Sequence, residues 1–283
     1  MIISYEHFIE TLNRKIKSGD DFYLQLLKTV IDNPCRYCGL FRLSNAKTKL
    51  IQNVTQSKEI KFGDFMEEIT TEYISLLGYA NQKKEIGCDE NGDRLNADQV
   101  FIFDNTFFLV EQKIRDDHDS TKKRGQFANF DKKVRLIKEQ HPNMHIVAIM
   151  WFIDDSLTKN MNYYQQKMNE CYYENTELHL YYGGEFFNSL QNGSLVWEEL
   201  ISYLTRYRLE NSQEIFTIPD FGTSEEMYNA LLQLSRKYWD KLVSDNPKYN
   251  LLRNEMFSSG DNLEKAIKNR DILLDFSIKK INI

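Results

Sequence analysis

The sequence predicts an α/β protein with a mixed central β-sheet flanked by helices, and with helical arms at the N- and C-terminal ends. Three observations carry that reading. Apolar residues recur at helical spacing toward both ends of the chain. Short runs of branched and aromatic residues cluster between residues 98 and 182. Around them the patterns follow the order helix, strand, strand, helix, strand, helix, strand, which suits a mixed sheet covered by helices. The expected divisions are a helical arm with a basic connection over 1–62, a core over 63–195, and a mostly helical region over 196–283.

In order along the chain, Phe8, Ile9, Leu12 and Ile16 form one amphipathic stripe, and Phe22, Leu26, Leu27 and Val30 a second. Pro34 breaks the pattern and a polar, basic connection follows. A helix is expected from about Gly63 and Asp64, with Phe65, Ile69, Tyr73, Ile74 and Leu77 inward and Gly78 as its stop. Asp98 to Phe103 and Phe107 to Ile114 read as strands joined by a turn at Asp104, Asn105 and Thr106. A polar loop over Arg115 to Arg124 leads through Gly125 into a helix ending near Glu139. His145 to Ile153 is nearly continuous in apolar residues and reads as a fully buried strand. Residues 159–174 are expected helical, Leu178 to Tyr182 a strand, and the short helix after Gly183 and Gly184 carries Phe186, Phe187 and Leu190. Pro219 to Gly222 suggests a boundary, after which Thr223 and Glu226 form a capping-box pattern.

Composition narrows the class. The chain has 283 residues, 41% hydrophobic and 28% charged, the balance of a soluble globular protein able to bury a sizeable core. The longest strongly apolar run, Ile146 to Ile153, is far too short to cross a membrane, and the N-terminus lacks a signal-peptide core, so a cytoplasmic location is expected. The four cysteines are then expected to be reduced. Cys35 and Cys38 form a CxxC, but no second CxxC or HxxxH pair accompanies it, so ordinary thiols are expected rather than structural zinc. The net charge of −6 does not exclude a polyanionic partner, because affinity depends on where the cations sit. Residues 41–62 carry five Lys or Arg against one acid, and residues 113–138 carry nine against four.

The segment Asp98 to Lys113 carries the chemistry. Residues two apart on a strand share a face, so Glu111 and Lys113 project together while Gln112 points away. A tight hairpin at 104–106 sets the two strands side by side and lets Asp98 converge on Glu111 beside an ammonium group. Two carboxylates suit magnesium, a hard cation, and the Gln112 carbonyl can add a ligand. Such an ion acidifies bound water and neutralises charge developing on a phosphate, with Lys113 orienting the water or stabilising that charge. ExK alone is common; its setting in hydrophobic strands, where unpaired charge is costly, and the basic stretch that follows make it informative.

The same pieces resemble the type II restriction endonucleases of the PD-(D/E)xK superfamily: Ala97-Asp98-Gln99, the strand ending Val110-Glu111-Gln112-Lys113, and the helix beginning Gly63-Asp64-Phe65-Met66-Glu67. The longer strings EQKIRDDHDSTKKRG (Glu111 to Gly125) and QNVTQSKEIKFGDFME (Gln52 to Glu67) resemble a group of bacterial restriction enzymes, and the likeness covers roughly residues 40–190. Ala97 stands where the motif's proline is expected. The resemblance implies that Asp98 and Glu111 bind metal, that Lys113 is the catalytic lysine, and that Glu67 is the acid contributed by the first core helix, with Glu68 and Glu72 as rivals. It further implies a Mg2+ cofactor, double-stranded DNA as substrate, and a companion DNA methyltransferase. Cutting both strands implies a homodimer, at least on DNA. A repair or recombination nuclease on the same fold is the alternative, and the intact Asp, Glu and Lys set argues against a non-catalytic DNA-binding regulator.

The basic stretch directly after the candidate strand is placed to meet DNA. Arg115, Lys122, Lys123 and Arg124 are candidates for phosphate contacts, and Gln126 and Asn129 for hydrogen bonds to bases or backbone. His118 is a further candidate contact, with simple exposure the expected reading. Asp116, Asp117 and Asp119 either bind metal or hold the basic residues through ion pairs.

Overall fold

The computed structural model describes residues 1–16, 21–211 and 220–270. The elements are α1 (Tyr5–Ile16), α2 (Phe22–Asp32), α3 (Pro34–Cys38), α4 (Ala46–Leu76), β1 (Ala80–Asn81), β2 (Glu85–Cys88), β3 (Arg94–Asn96), β4 (Gln99–Phe103) and β5 (Thr106–Lys113). They continue as α5 (Ser120–Gln140), β6 (His145–Phe152), α6 (Met161–Glu170), β7 (Thr176–Tyr182), α7 (Glu185–Ser189), α8 (Ser194–Glu210), α9 (Glu225–Gln233), α10 (Arg236–Val243) and α11 (Pro247–Met256). Two compact units interleave along the chain. One comprises Met1–Lys15 with Lys61–Ser212, and the other Ile16–Ile60 with Gln213–Ile283.

The first unit holds a five-stranded mixed sheet in the order β1-β4-β5-β6-β7, antiparallel from β1 to β5 and parallel from β5 to β7. A two-stranded ribbon, β2 with β3, accompanies it. The mixed sheet and its flanking helices bear out the expected architecture. β6 lies between two parallel neighbours, and its run Ala148 to Phe152 is buried throughout, which explains its unbroken apolar sequence. On one face of the sheet Phe107, Leu109, Ile146, Ala148 and Met150 share a core with Phe127, Phe130, Val134 and Ile137 of α5 and with Tyr164 and Met168 of α6. On the other, Trp151 stacks on Phe186, and Phe187 bridges to Tyr73 of α4. Phe8 of α1 meets Phe65 of α4 edge to face, so the N-terminal helix belongs to this layer.

The second unit is helical. Leu27, Val30 and Ile31 of α2, Leu50 and Val54 of α4, Met227 and Leu231 of α9, Leu242 of α10 and Leu252 of α11 form one buried cluster.

Among the boundaries that differ from the sequence reading, three have a local physical cause. The long helix starts at Ala46, not near Gly63, so most of the expected basic connection is helical. Ala46, Leu50 and Val54 make an inward stripe at a spacing of four, and the modest helix cost of the single Gly63 does not break a helix of 31 residues. The expected loop up to Arg124 is shortened because α5 starts at Ser120, where the Asp119 side chain accepts the Thr121 and Lys122 amides at 3.0 and 2.8 Å. The cap of α9 is Ser224, which accepts the Met227 amide at 3.3 Å, so the capping residue is one position later than Thr223. Pro219, the expected start of a boundary, lies outside the described residues.

Candidate active site

The β4–β5 hairpin builds the site. Phe103 pairs with Thr106, leaving a two-residue connection. Asp104 takes a left-handed φ of 45°, a conformation in which Asp and Asn are the best-tolerated residues after glycine. The register, Gln99 opposite Val110, extends by one residue to set Asp98 opposite Glu111. Asp98 lies just before β4. Its Oδ2 accepts the Gln112 amide at 2.7 Å and the Lys113 ammonium at 2.8 Å. The Ala97 amide donates to the Lys84 carbonyl at 2.9 Å, a bond that a proline at this position could not make.

Three oxygens converge on the Lys113 ammonium: Asp98 Oδ2 at 2.8 Å, the Gln112 carbonyl at 2.8 Å and Glu111 Oε2 at 3.6 Å. The three acidic and basic residues expected to meet therefore do meet. The other carboxylate oxygen of Glu111 accepts from the Lys133 ammonium, which reaches it from α5. Glu111 is only 6% exposed and Lys133 only 4%. Burial, and then the charge of Asp98, push the Glu111 carboxyl upward, while the two lysines pull it down. Burial works against the Lys113 ammonium, but Asp98 and Glu111 outweigh it and hold that group above the ordinary lysine value.

The side chain of Gln112 points to the opposite face, as alternation requires. Its Oε1 accepts from Gln99 Nε2 at 3.2 Å, and that amide also donates to the Glu67 carbonyl at 2.8 Å. Thr71 Oγ1 completes the bridge by donating to Gln99 Oε1 at 2.7 Å. Helix α4 is thereby tied to the hairpin through the backbone of Glu67. The Glu67 carboxylate itself is paired with Lys84 at 2.5 Å and touches none of Asp98, Glu111 and Lys113. Glu68 is paired with Arg14 and Lys15, and Glu72 with His7. Among the described residues no group of three or more His, Cys, Asp or Glu is placed to hold a metal ion together. The donor set gathered at Lys113 is two carboxylates and a carbonyl.

The basic segment is a helix rather than a loop. Lys122, Arg124 and Asn129 are exposed on α5. Lys123 lies 4.6 Å from the centre of the Tyr163 ring, and Arg124 Nε donates to the Ser120 carbonyl at 3.0 Å. Gln126 is half-buried, its Oε1 accepting from the Tyr164 hydroxyl at 2.7 Å. Arg115 is half-buried in the segment before the helix. Lys122, Gln126, Asn129 and Lys133 are spaced at i, i+4, i+7 and i+11, so one stripe of the helix runs from the exposed cation to Glu111.

The aspartates that follow the strand hold structure together. Asp116 is fully buried and accepts from the Asn160 amide, Asn160 Nδ2 and the Tyr182 hydroxyl at 2.8, 2.8 and 2.9 Å. Asp119 caps α5, and exposed Asp117 lies 3.8 Å from His118. His118, expected at the surface, is half-buried, and burial followed by the charge of Lys122 holds it below the ordinary histidine value. At the CxxC, Cys38 is buried and donates to the Pro34 carbonyl at 3.2 Å, and burial pushes its thiol up to about 11.

Sequence reasoning missed Lys133. The signal is its position, adjacent to Val134 and within the stripe of Phe130 and Ile137, where a helix otherwise turns apolar residues inward.

No curated protein and no solved structure matches the chain. A family model does: type II restriction endonuclease, HinfI, over residues 4–96 and 89–208. The two segments contain every residue of the site described above. On that match, which spans well over half of the sequence, the chain belongs to the HinfI family of type II restriction endonucleases.

Proposed function

We propose that the protein cuts double-stranded DNA at a specific sequence, hydrolysing the phosphodiester bond at a Mg2+ centre built on Asp98, Glu111 and the Gln112 carbonyl. The observation that carries this reading is the convergence of those three oxygens on one positive charge, the Lys113 ammonium. A donor set that gathers around one cation, all of hard oxygen, fits magnesium by its chemistry. When bound, the ion supplies Lewis acidity and lowers the pKa of a water molecule. Asp98 and Glu111 provide the negative charge that would hold it, and the hairpin fixes their separation. Lys113, held protonated by both acids, stabilises negative charge developing on the scissile phosphate. Glu67 supports the centre through its backbone bond to Gln99, which keeps α4 against the hairpin.

Arg115, Lys122, Lys123 and Arg124 supply cations for phosphates, and Gln126 and Asn129 supply amides for groove or backbone contacts. The chain acts as a homodimer on DNA, each copy cutting one strand, in a system with a companion methyltransferase that protects the host sequence.

Digestion of a plasmid of known sequence, with sequencing of the fragment ends, tests the reading. Discrete fragments are expected with Mg2+ or Mn2+ and none with excess chelator. Asp98→Ala, Glu111→Ala and Lys113→Ala are each expected to stay folded and lose cleavage. Undiminished cutting in chelator, or by any of the three variants, overturns the assignment.

A further inference from the structure

We infer that Lys133 is a positioning residue of the cleavage centre, holding the Glu111 carboxylate so that one oxygen stays turned to Lys113 and Asp98. The inference rests on the reading of Asp98, Glu111 and Lys113 as that centre.

Lys133 sits where α5 otherwise presents Phe127, Phe130, Val134 and Ile137 to the sheet, and it is as buried as they are. An ammonium in such a place is strongly disfavoured unless it is paired. Packing alone is served by an apolar residue, and buried ion pairs are often replaceable by apolar groups without loss of stability. The charge therefore calls for an explanation other than filling the core. Its partner supplies one. Lys133 bonds Oε1 of Glu111, while Oε2 faces Lys113 at 3.6 Å.

The two lysines divide the work. Lys113 lies closer to Asp98, at 2.8 Å, than to Glu111. The tight partner of Glu111 is Lys133. Neighbours across the sheet offer no substitute: the register sets Met150 beside Glu111 on β6, and Leu109 precedes it on the same face of β5. Without Lys133 the Glu111 side chain has an apolar surround on that side, and on the other it keeps Asp98 and the more distant Lys113 at 3.6 Å. A group that orients a metal-binding carboxylate in this way is expected to matter roughly 10–100-fold in metal affinity or activity.

The test compares wild type with Lys133→Met, which keeps the length of the stem and removes the charge, and Lys133→Arg, which keeps a cation. Single-turnover cleavage is followed against Mg2+ concentration, to separate the limiting rate from the half-saturating concentration. Mn2+ binding without DNA is titrated directly, and thermal unfolding is recorded in chelator. Lys133→Met is expected to raise the half-saturating Mg2+ and weaken Mn2+ binding by roughly 10–100-fold, and Lys133→Arg to recover most of the loss. A lysine with only a structural role lowers the melting temperature and leaves metal affinity and half-saturation at wild-type values; that result overturns the inference. Should Lys133→Met not fold, Lys133→Gln replaces it, and failure of both to fold also counts against a positioning role. Wild type and Glu111→Ala run alongside. If wild type does not cleave with Mg2+, or Glu111→Ala does, the reading of the centre itself falls. If both behave as expected and Lys133→Met matches wild type, only the role of Lys133 falls.

Discussion

Replacing Asp116 with Ala is expected to destabilise the first unit by about 3–5 kcal/mol and to cripple cleavage, although Asp116 belongs to neither the metal-binding nor the DNA-binding set. Its carboxylate is 0% exposed and receives three donors: the Asn160 amide, Asn160 Nδ2 and the Tyr182 hydroxyl. Burial, and next the bond to Asp116, push the Tyr182 hydroxyl far above its ordinary value, so it stays protonated and donates at any working pH. Truncation strands those donors in the interior at about 1–3 kcal/mol each. Relief from burying one charge offsets part of that sum, and water entering the space left behind brings the net toward the lower end. Asp116→Asn keeps the shape but turns an NH2 toward donors, so it is expected to cost at least about 2 kcal/mol. Position links this to activity: Asp116 is three residues after Lys113 and three before the cap of α5, so it fixes the connection between the two elements that grip Glu111. Urea unfolding of both variants in a Trp239→Phe background, followed through Trp151 and Trp197, the two tryptophans of this unit, gives the energies, and plasmid cleavage gives the activity. A loss under about 1 kcal/mol for Asp116→Ala, together with wild-type cleavage, would refute the reasoning.

Replacing Lys122, Lys123 and Arg124 together with Ala is expected to weaken binding to cognate and random duplexes alike and to lower the salt slope of the affinity by roughly 2–3, at about 0.9 per phosphate contact; an unchanged slope eliminates these residues as phosphate contacts. Asp220 gives a pH effect in the second unit. Burial works to raise its carboxyl, but bonds from Ser259, Lys47 and the Gly222 amide outweigh it and bring it down to about 2 from an ordinary 3.8. The folded value lies below the unfolded one, so the contribution is complete above about pH 4 and disappears as pH falls through about 2. The shift corresponds to roughly 2.4 kcal/mol, which solvent screening of a side chain 35% exposed cuts to about 1 kcal/mol. The stability gap between wild type and Asp220→Asn should therefore close between pH 4 and 2; a gap independent of pH in that range removes the linkage.

Much of the site was legible because strand geometry is rigid. Period-two alternation alone puts Glu111 and Lys113 on one face and Gln112 on the other, and the Asp-Asn turn identifies the hairpin that delivers Asp98. What escaped depends on distant partners. The local mark of Lys133 is its place within the apolar stripe of α5, but a lysine so placed is most often a snorkelling surface residue, and only the docking of α5 on β5 reveals its partner. The pairing of the Glu67 carboxylate with Lys84 depends on the irregular chain between β1 and β2, which has no periodicity to read. The first half of α4 was hidden by its polar stretch from Thr55 to Lys61, and Gly125 misled as a helix start because the cap at Asp119 overrides one glycine's modest helix cost.

The two-residue connection at Asp104 and Asn105 also makes the interval from Asp98 to Glu111 a ruler. Adding or deleting one residue anywhere between them, without a compensating bulge, shifts one strand by a single step and exchanges its two faces. Asp98 would then lie on the side of Gln112, against α4, and Glu111 would keep Lys133 but lose its acidic companion. Substitutions within this stretch can be absorbed one side chain at a time, whereas a change in its length dismantles the centre in one event. Insertions engineered into this protein, whether tags, reporters or recombination scars, therefore belong outside residues 98–113.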